Sequence, residues 1–235
     1  MTKKVALLTV AVVALTWLHL SNAAATSLTD TAITDAQFSS FAGARVFQRT
    51  SNFNVGTMAG TVYSAAFSGI GAANGHTLYT YQVQLTGGTT TGFSMNFGGI
   101  NNMVRNVDLT GGGSATTSFH IAGTLGALGA LGSFFPSNGP LSIAPLSSLV
   151  DDVTGDYKTL FVSIGAGTAS TIFGYISDGG VGTTLASMID VAGQLYTGPD
   201  GAAPVPEPGT LLLLGTGLAG IGAWGWWRHT LRQAG

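Results

Sequence analysis

The chain has 235 residues, of which 45% are hydrophobic, 8% are charged and none is cysteine. That apolarity far exceeds what disordered chains carry, so a core forms, and the lack of thiols excludes disulfides, thiolate catalysis and Cys-based zinc or iron–sulfur sites. Between Thr26 and Ala203 nine Asp stand against one Lys and three Arg, a net charge of −5; a surface of that sign with no basic patch excludes nucleic acid as a partner.

Residues 1–25 read MTKKVALLTVAVVALTWLHLSNAAA. Lys3 and Lys4 form a charged start, Val5 to Leu18 an apolar stretch, and Ala23 and Ala25 an A-x-A cleavage site, which together predict a signal peptide removed by signal peptidase. Cleavage is expected after Ala25, with Ala23 and Ala24 as neighbouring choices and an uncleaved signal anchor as the alternative. The mature chain is therefore expected to be exported.

A β-rich body is predicted over 26–197. A helical turn at Asp35 to Phe41 comes first, then period-two alternation takes over. In TLYTYQVQL, Tyr79, Tyr81, Val83 and Leu85 share one face and Thr80, Gln82 and Gln84 the other, the pattern of a half-buried antiparallel strand. Further strands are predicted at Arg45–Arg49, Thr61–Ser68, Gly92–Phe97, Met103–Leu109, Thr116–Ile121, Lys158–Ile164, Thr171–Ser177 and Met188–Tyr196. Turn clusters such as GAANGH, TGGTTTG and SDGG separate them, so the expected fold is all-β: an antiparallel sandwich of about eight strands, jelly-roll-like. The stretch GTLGALGALGSFFPSNGP is expected to be a packed apolar loop capping one end of the sandwich, since glycine at every third position weakens a helix by nearly 1 kcal/mol each.

No catalytic motif is found. His76 and His120 stand at no metal-ligand spacing, and there is no G-x-S-x-G elbow. Asp151, Asp152 and Asp156 in DDVTGDYK are weak candidates for a Ca²⁺ loop, with a solvated turn as the plainer reading; no other cofactor or metal is expected.

After the body, 198–209 reads as a Pro/Gly linker acting as a semi-rigid stalk. Residues 210–227 are uncharged; as a helix these 18 residues would measure about 27 Å, close to the hydrocarbon thickness of a bilayer. Trp224, Trp226 and Trp227, followed by Arg228 and Arg232, match an aromatic belt and a cationic flank, which makes 228–235 a short basic cytoplasmic tail and the membrane a partner. Gly215 to Gly220 spells G-x-G-x-x-G, but no βαβ unit surrounds it, and close packing of helices in a membrane is the better reading.

Pro206, Glu207 and Pro208, the glycine-containing apolar span behind them and the basic end occur in the order of the PEP-CTERM sorting signal of Gram-negative bacteria, which the last 30 or so residues resemble. The resemblance implies reading by an exosortase-like membrane transpeptidase, an inner-membrane-anchored intermediate, and delivery to the cell surface or extracellular matrix of bacteria that make exopolysaccharide. Physically, Pro204, Pro206 and Pro208 keep the segment extended, and Glu207, the one glutamate of the chain, is a fixed charge outside the bilayer. The expected function is a non-catalytic structural or adhesive module associated with exopolysaccharide, with Ser, Thr, Asn and Gln bonding sugars and aromatic rings as stacking platforms. The alternatives are a secreted glycan-active enzyme, or a carbohydrate- or calcium-binding module, on the same anchor.

Overall fold

The computed structural model describes residues 25–96, 107–110, 117–123, 131–132, 134–136, 142–151, 156–178 and 180–205. The expected signal peptide up to Ala24, the strand residues 103–106, Asp152, the PEP motif and the apolar tail with its Trp and Arg anchors lie outside them. No helix among the described residues is long and apolar enough to cross a membrane.

The body is an all-β sandwich of two sheets. One, here the front sheet, runs β1 (Ala25–Leu28), β9 (Pro145–Asp151), β10 (Asp156–Gly165), β6 (Thr89–Asn96), β13 (Gly180–Asp190), β14 (Leu195–Val205), with every neighbour antiparallel. In the back sheet, β5 (Thr77–Gly87) is central. β4 (Met58–Gly69) pairs one of its edges and carries β3 (Ala42–Val55); β11 (Ala169–Ser170) and β12 (Phe173–Ser177) share the other, with β8 (Ser142–Ile143) beside β11, and β7 (Ser118–Ile121) then β2 (Asp30–Ile33) beside β12. Two pairings depart from the antiparallel expectation: β2 with β7 and β8 with β11 are parallel.

The alternation in β5 sorts its side chains as read, but the strand is not half-buried. Tyr79, Tyr81, Val83 and Leu85 enter the core between the sheets, while Thr80 and Gln82 on the opposite face are 0% exposed. Hydrogen bonds make this burial tolerable: Thr80 Oγ1 donates to the Ala65 carbonyl (3.0 Å) and Gln82 Nε2 to that of Ser170 (3.1 Å).

Part of that opposite face is covered by a second core. It joins Phe38 of helix α1 (Asp35–Phe41) with Phe67, Leu78, Phe119 and Ile176 of the back sheet and with Val107, Leu109, Leu131, Phe135 and Ile172 from the connections. The helix is where the sequence places it because Thr34 and Gln37 form a capping box: Gln37 N donates to Thr34 Oγ1 (3.2 Å) and Thr34 N to Gln37 Oε1 (2.8 Å). Of the apolar loop expected to cap an end of the sandwich, the described residues Leu131, Phe134 and Phe135 pack in this second core, where Phe38 also meets Phe67 edge-on with ring centres 5.3 Å apart.

Other boundaries shift. The predicted strand Met188–Tyr196 straddles a turn, because Asp190 Oδ1 accepts from Ala192 N (2.8 Å) and Gln194 N (2.9 Å), and Gly193 takes φ 79°. The expected stalk from 198 onward is, up to Val205, the edge strand β14. Val107 makes only an isolated bridge.

Strand direction gives the body two poles. The alternating pairing places Ala25, Asp151, Asp156, Gly180 and Val205 at one end of the front sheet and Pro145, Gly165, Thr89 and the 191–194 turn at the other. The first and last described residues therefore leave from the same pole, from opposite edges of the sheet about 24 Å apart at roughly 4.8 Å per strand.

Candidate functional site at the junction of body and tail

The junction is built on β14. Edge strands tolerate proline, and β14 holds Pro199 and Pro204. It pairs antiparallel with β13 from Ile189↔Leu195 to Gly180↔Val205, with one register shift between Leu185 and Ser187. Its side chains tie it to the rest of the sandwich. Asp200 accepts from Arg49 Nη2 of β3 at 2.5 Å, and Ala203 is buried in the core between the sheets. At Gly201 an added Cβ would meet Met95 Cε at 2.9 Å, so a small residue lets β14 close on the core. Pro206 follows the last paired residue directly.

The remaining chemistry-bearing groups are spread over the body. His76 Nδ1 meets Asp178 Oδ1 at 2.5 Å, joining the β4–β5 and β12–β13 connections. His120 Nδ1 meets Asp30 Oδ2 at 2.7 Å, and Ser118 Oγ donates to Asp30 Oδ1 at 2.9 Å. The carboxylate thus stands between hydroxyl and imidazole, whereas nucleophilic catalysis needs the imidazole between the other two. Of the calcium candidates, Asp151 ends β9 and pairs with Ala25, Asp156 opens β10, and Asp156 Oδ1 is buried without a hydrogen-bond partner among the described residues. No set of three or more His, Cys, Asp or Glu side chains able to hold a metal gathers among the described residues. Ala25, expected to precede the signal cleavage, is already the first residue of β1.

The aromatic rings expected as surface platforms are mostly internal. Tyr79, Tyr81, Tyr157 and Tyr175 are fully buried, with the Tyr81 and Tyr175 hydroxyls 2.9 Å apart and the Tyr157 and Tyr175 rings 4.6 Å apart. Burial pushes all four phenols well above their ordinary range.

Sequence reading missed a polar face on the outer side of the back sheet. Asn52, Thr61 and Gln84 lie side by side on β3, β4 and β5, with Thr50 and Tyr63 paired in the next row. Thr61 Oγ1 donates to Asn52 Oδ1 (2.8 Å) and Tyr63 Oη to Gln84 Oε1 (3.4 Å). The signal was present as polar residues at alternate positions of three strands, but only their register brings the rows together.

The described residues define a β-sandwich whose last strand, β14, pairs up to Val205, the residue before Pro206. The chain carries the PEP-CTERM protein-sorting motif, whose family model matches residues 204–228, and the motif marks a protein sorted toward the cell surface by an exosortase-type system. No curated protein and no solved structure matches the chain.

Proposed function

We propose that this protein is a non-catalytic surface or extracellular-matrix module that associates with exopolysaccharide. It is delivered through signal peptidase, an inner-membrane-anchored intermediate held by residues 210–227, and an exosortase-like transpeptidase acting at Pro206, Glu207 and Pro208. The observation carrying the matrix role is the open polar face of the back sheet. Asn52, Thr61 and Gln84 offer amide and hydroxyl groups in one cross-strand row, and Tyr63 lies half-buried beside them. Sugar hydroxyls both donate and accept, so a row that does the same suits a polyhydroxyl chain laid across the strands. With a body of net charge −5, a neutral or weakly charged glycan suits this face better than a strongly acidic one.

The test is co-sedimentation of protein recovered from the cell surface with exopolysaccharide isolated from the producing cells. Replacing Asn52, Thr61 and Gln84 together by alanine is expected to weaken retention about tenfold, the effect of losing roughly 1.4 kcal/mol of binding. Unchanged retention, or wild-type protein found only in the cytoplasm, would remove this reading.

A further inference from the structure

We infer that the C-terminal half of β14 is a gate on processing of the sorting motif, and that Arg49 and Asp200 are its positioning residues. The inference rests on the proposed reading that a membrane transpeptidase acts at Pro206 to Pro208.

A cleaving or transpeptidating enzyme holds its substrate extended in a cleft, and the residues on both sides of the reacting bond must enter it. Here the residues on the body side are committed elsewhere. Val205 is paired with Gly180, Pro204 with Val181 and Ala203 with Gly182, and the Ala203 side chain is 1% exposed in the core. Three residues before Ala203, Asp200 is held by Arg49 from the other sheet. No slack separates fold and motif, because the pairing runs up to the residue before Pro206.

The enzyme therefore gains access to the body side of its motif only when residues 201–205 leave the sheet. Such fraying of a strand end is a local opening that costs much less than unfolding the body. When opening and closing are fast relative to cleavage, the processing rate follows the population of the opened form. Arg49 and Asp200 act on that population without touching the motif, because their ion pair marks where fraying stops. The pair is partly exposed, with side chains 42% and 38% accessible, so its effect on the opening is modest. In consequence an unfolded or mispaired body would release its motif early, whereas a completed sheet meters it.

The test is a pulse–chase measurement of C-terminal segment removal in cells that contain the processing enzyme, using the full-length chain. Arg49→Ala is expected to speed removal about two- to five-fold. A Gly180→Cys/Val205→Cys pair, which forms a single possible disulfide because the chain has no other cysteine, is expected to slow removal at least tenfold, with the rate restored by reductant. A ten-residue Gly/Ser insertion after Val205 is expected to speed removal and to abolish the effect of the lock. Equal rates for the locked, reduced and insertion forms would overturn the gate while leaving the processing reading intact. Replacing Pro206, Glu207 and Pro208 by alanine separates the two, since a segment removed as fast without the motif overturns both. A protein misfolded by the cysteine pair would show its defect equally after reduction, and the insertion variant then decides on its own.

Discussion

The two sheets of this sandwich treat their outer faces differently. The back sheet has part of its outer face sealed by helix α1 and by Leu109, Leu131 and Phe135, which build a second core. Among the described residues nothing comparable covers the outer face of the front sheet, where Leu160, Val162 and Leu185 are exposed among polar neighbours. The lesson is that burial on both faces concentrates stability in β5 and β12, the strands that serve two cores, while the front sheet is stabilised from its inner side alone. The strand that leads to the sorting motif belongs to the more lightly held sheet, and at its edge.

Three experiments sharpen or break this contrast. The largest effect is expected from alkali, which acts on the core between the sheets. A phenol is neutral when protonated, and burial raises the folded-state values of Tyr79, Tyr81, Tyr157 and Tyr175 above the unfolded value of about 10. The unfolded chain then gives up these protons first. Stability from this source is whole below pH 10 or so and is lost as pH climbs beyond it. Absorbance at about 295 nm, where ionised phenols absorb, should rise for these four rings only together with loss of the β-sheet circular dichroism signal; ionisation while the sheet signal persists would contradict their burial.

Next in size is Phe38→Ala. Phe38 is 0% exposed and packs on Phe67 and Phe119, with ring centres 5.3 and 5.7 Å away. Its truncation should cost about 3–5 kcal/mol in denaturant unfolding. Hydrogen exchange should quicken in α1 and β2 more than in β10 and β6, and uniform quickening would mean that the two cores are not separable. The smallest effect is expected at Val162→Ser on the open face, where the side chain is 68% exposed. The change should stay within about 0.5 kcal/mol, and a larger loss would show that something covers this face.

How much of this was legible in the sequence varies with the kind of signal. The capping residues Thr34 and Gln37 and the alternation through β5 were readable because each is a local pattern with one physical cause. The second core was not, because Thr80 and Gln82 look like solvent-facing residues until their partners at Ala65 and Ser170 are known, and those lie 15 and 88 positions away. The 190–195 turn escaped because a single Asp side chain organises it within a run that keeps a strand-like composition. The part of the expected linker up to Val205 is strand for the opposite reason: Gly and Pro suggest a stalk, yet an edge strand tolerates both where its outer side needs no donors. The tail was the most readable part, since its motif is defined by sequence order alone, and its match to residues 204–228 agrees with that reading.

The shared exit of Ala25 and Val205 has one more consequence. Whatever holds the chain at Val205, the farthest part of the body from that hold is the opposite pole, roughly 36 Å away if β14's 11 residues rise about 3.3 Å each. There the tight turns at Gly56, Gly88, Gly167 and Gly193, all with positive φ, come together. Among the described residues the summit of the body is made of these short turns, so insertions there would change what the surroundings meet while leaving the strands and the exit of the chain as they are.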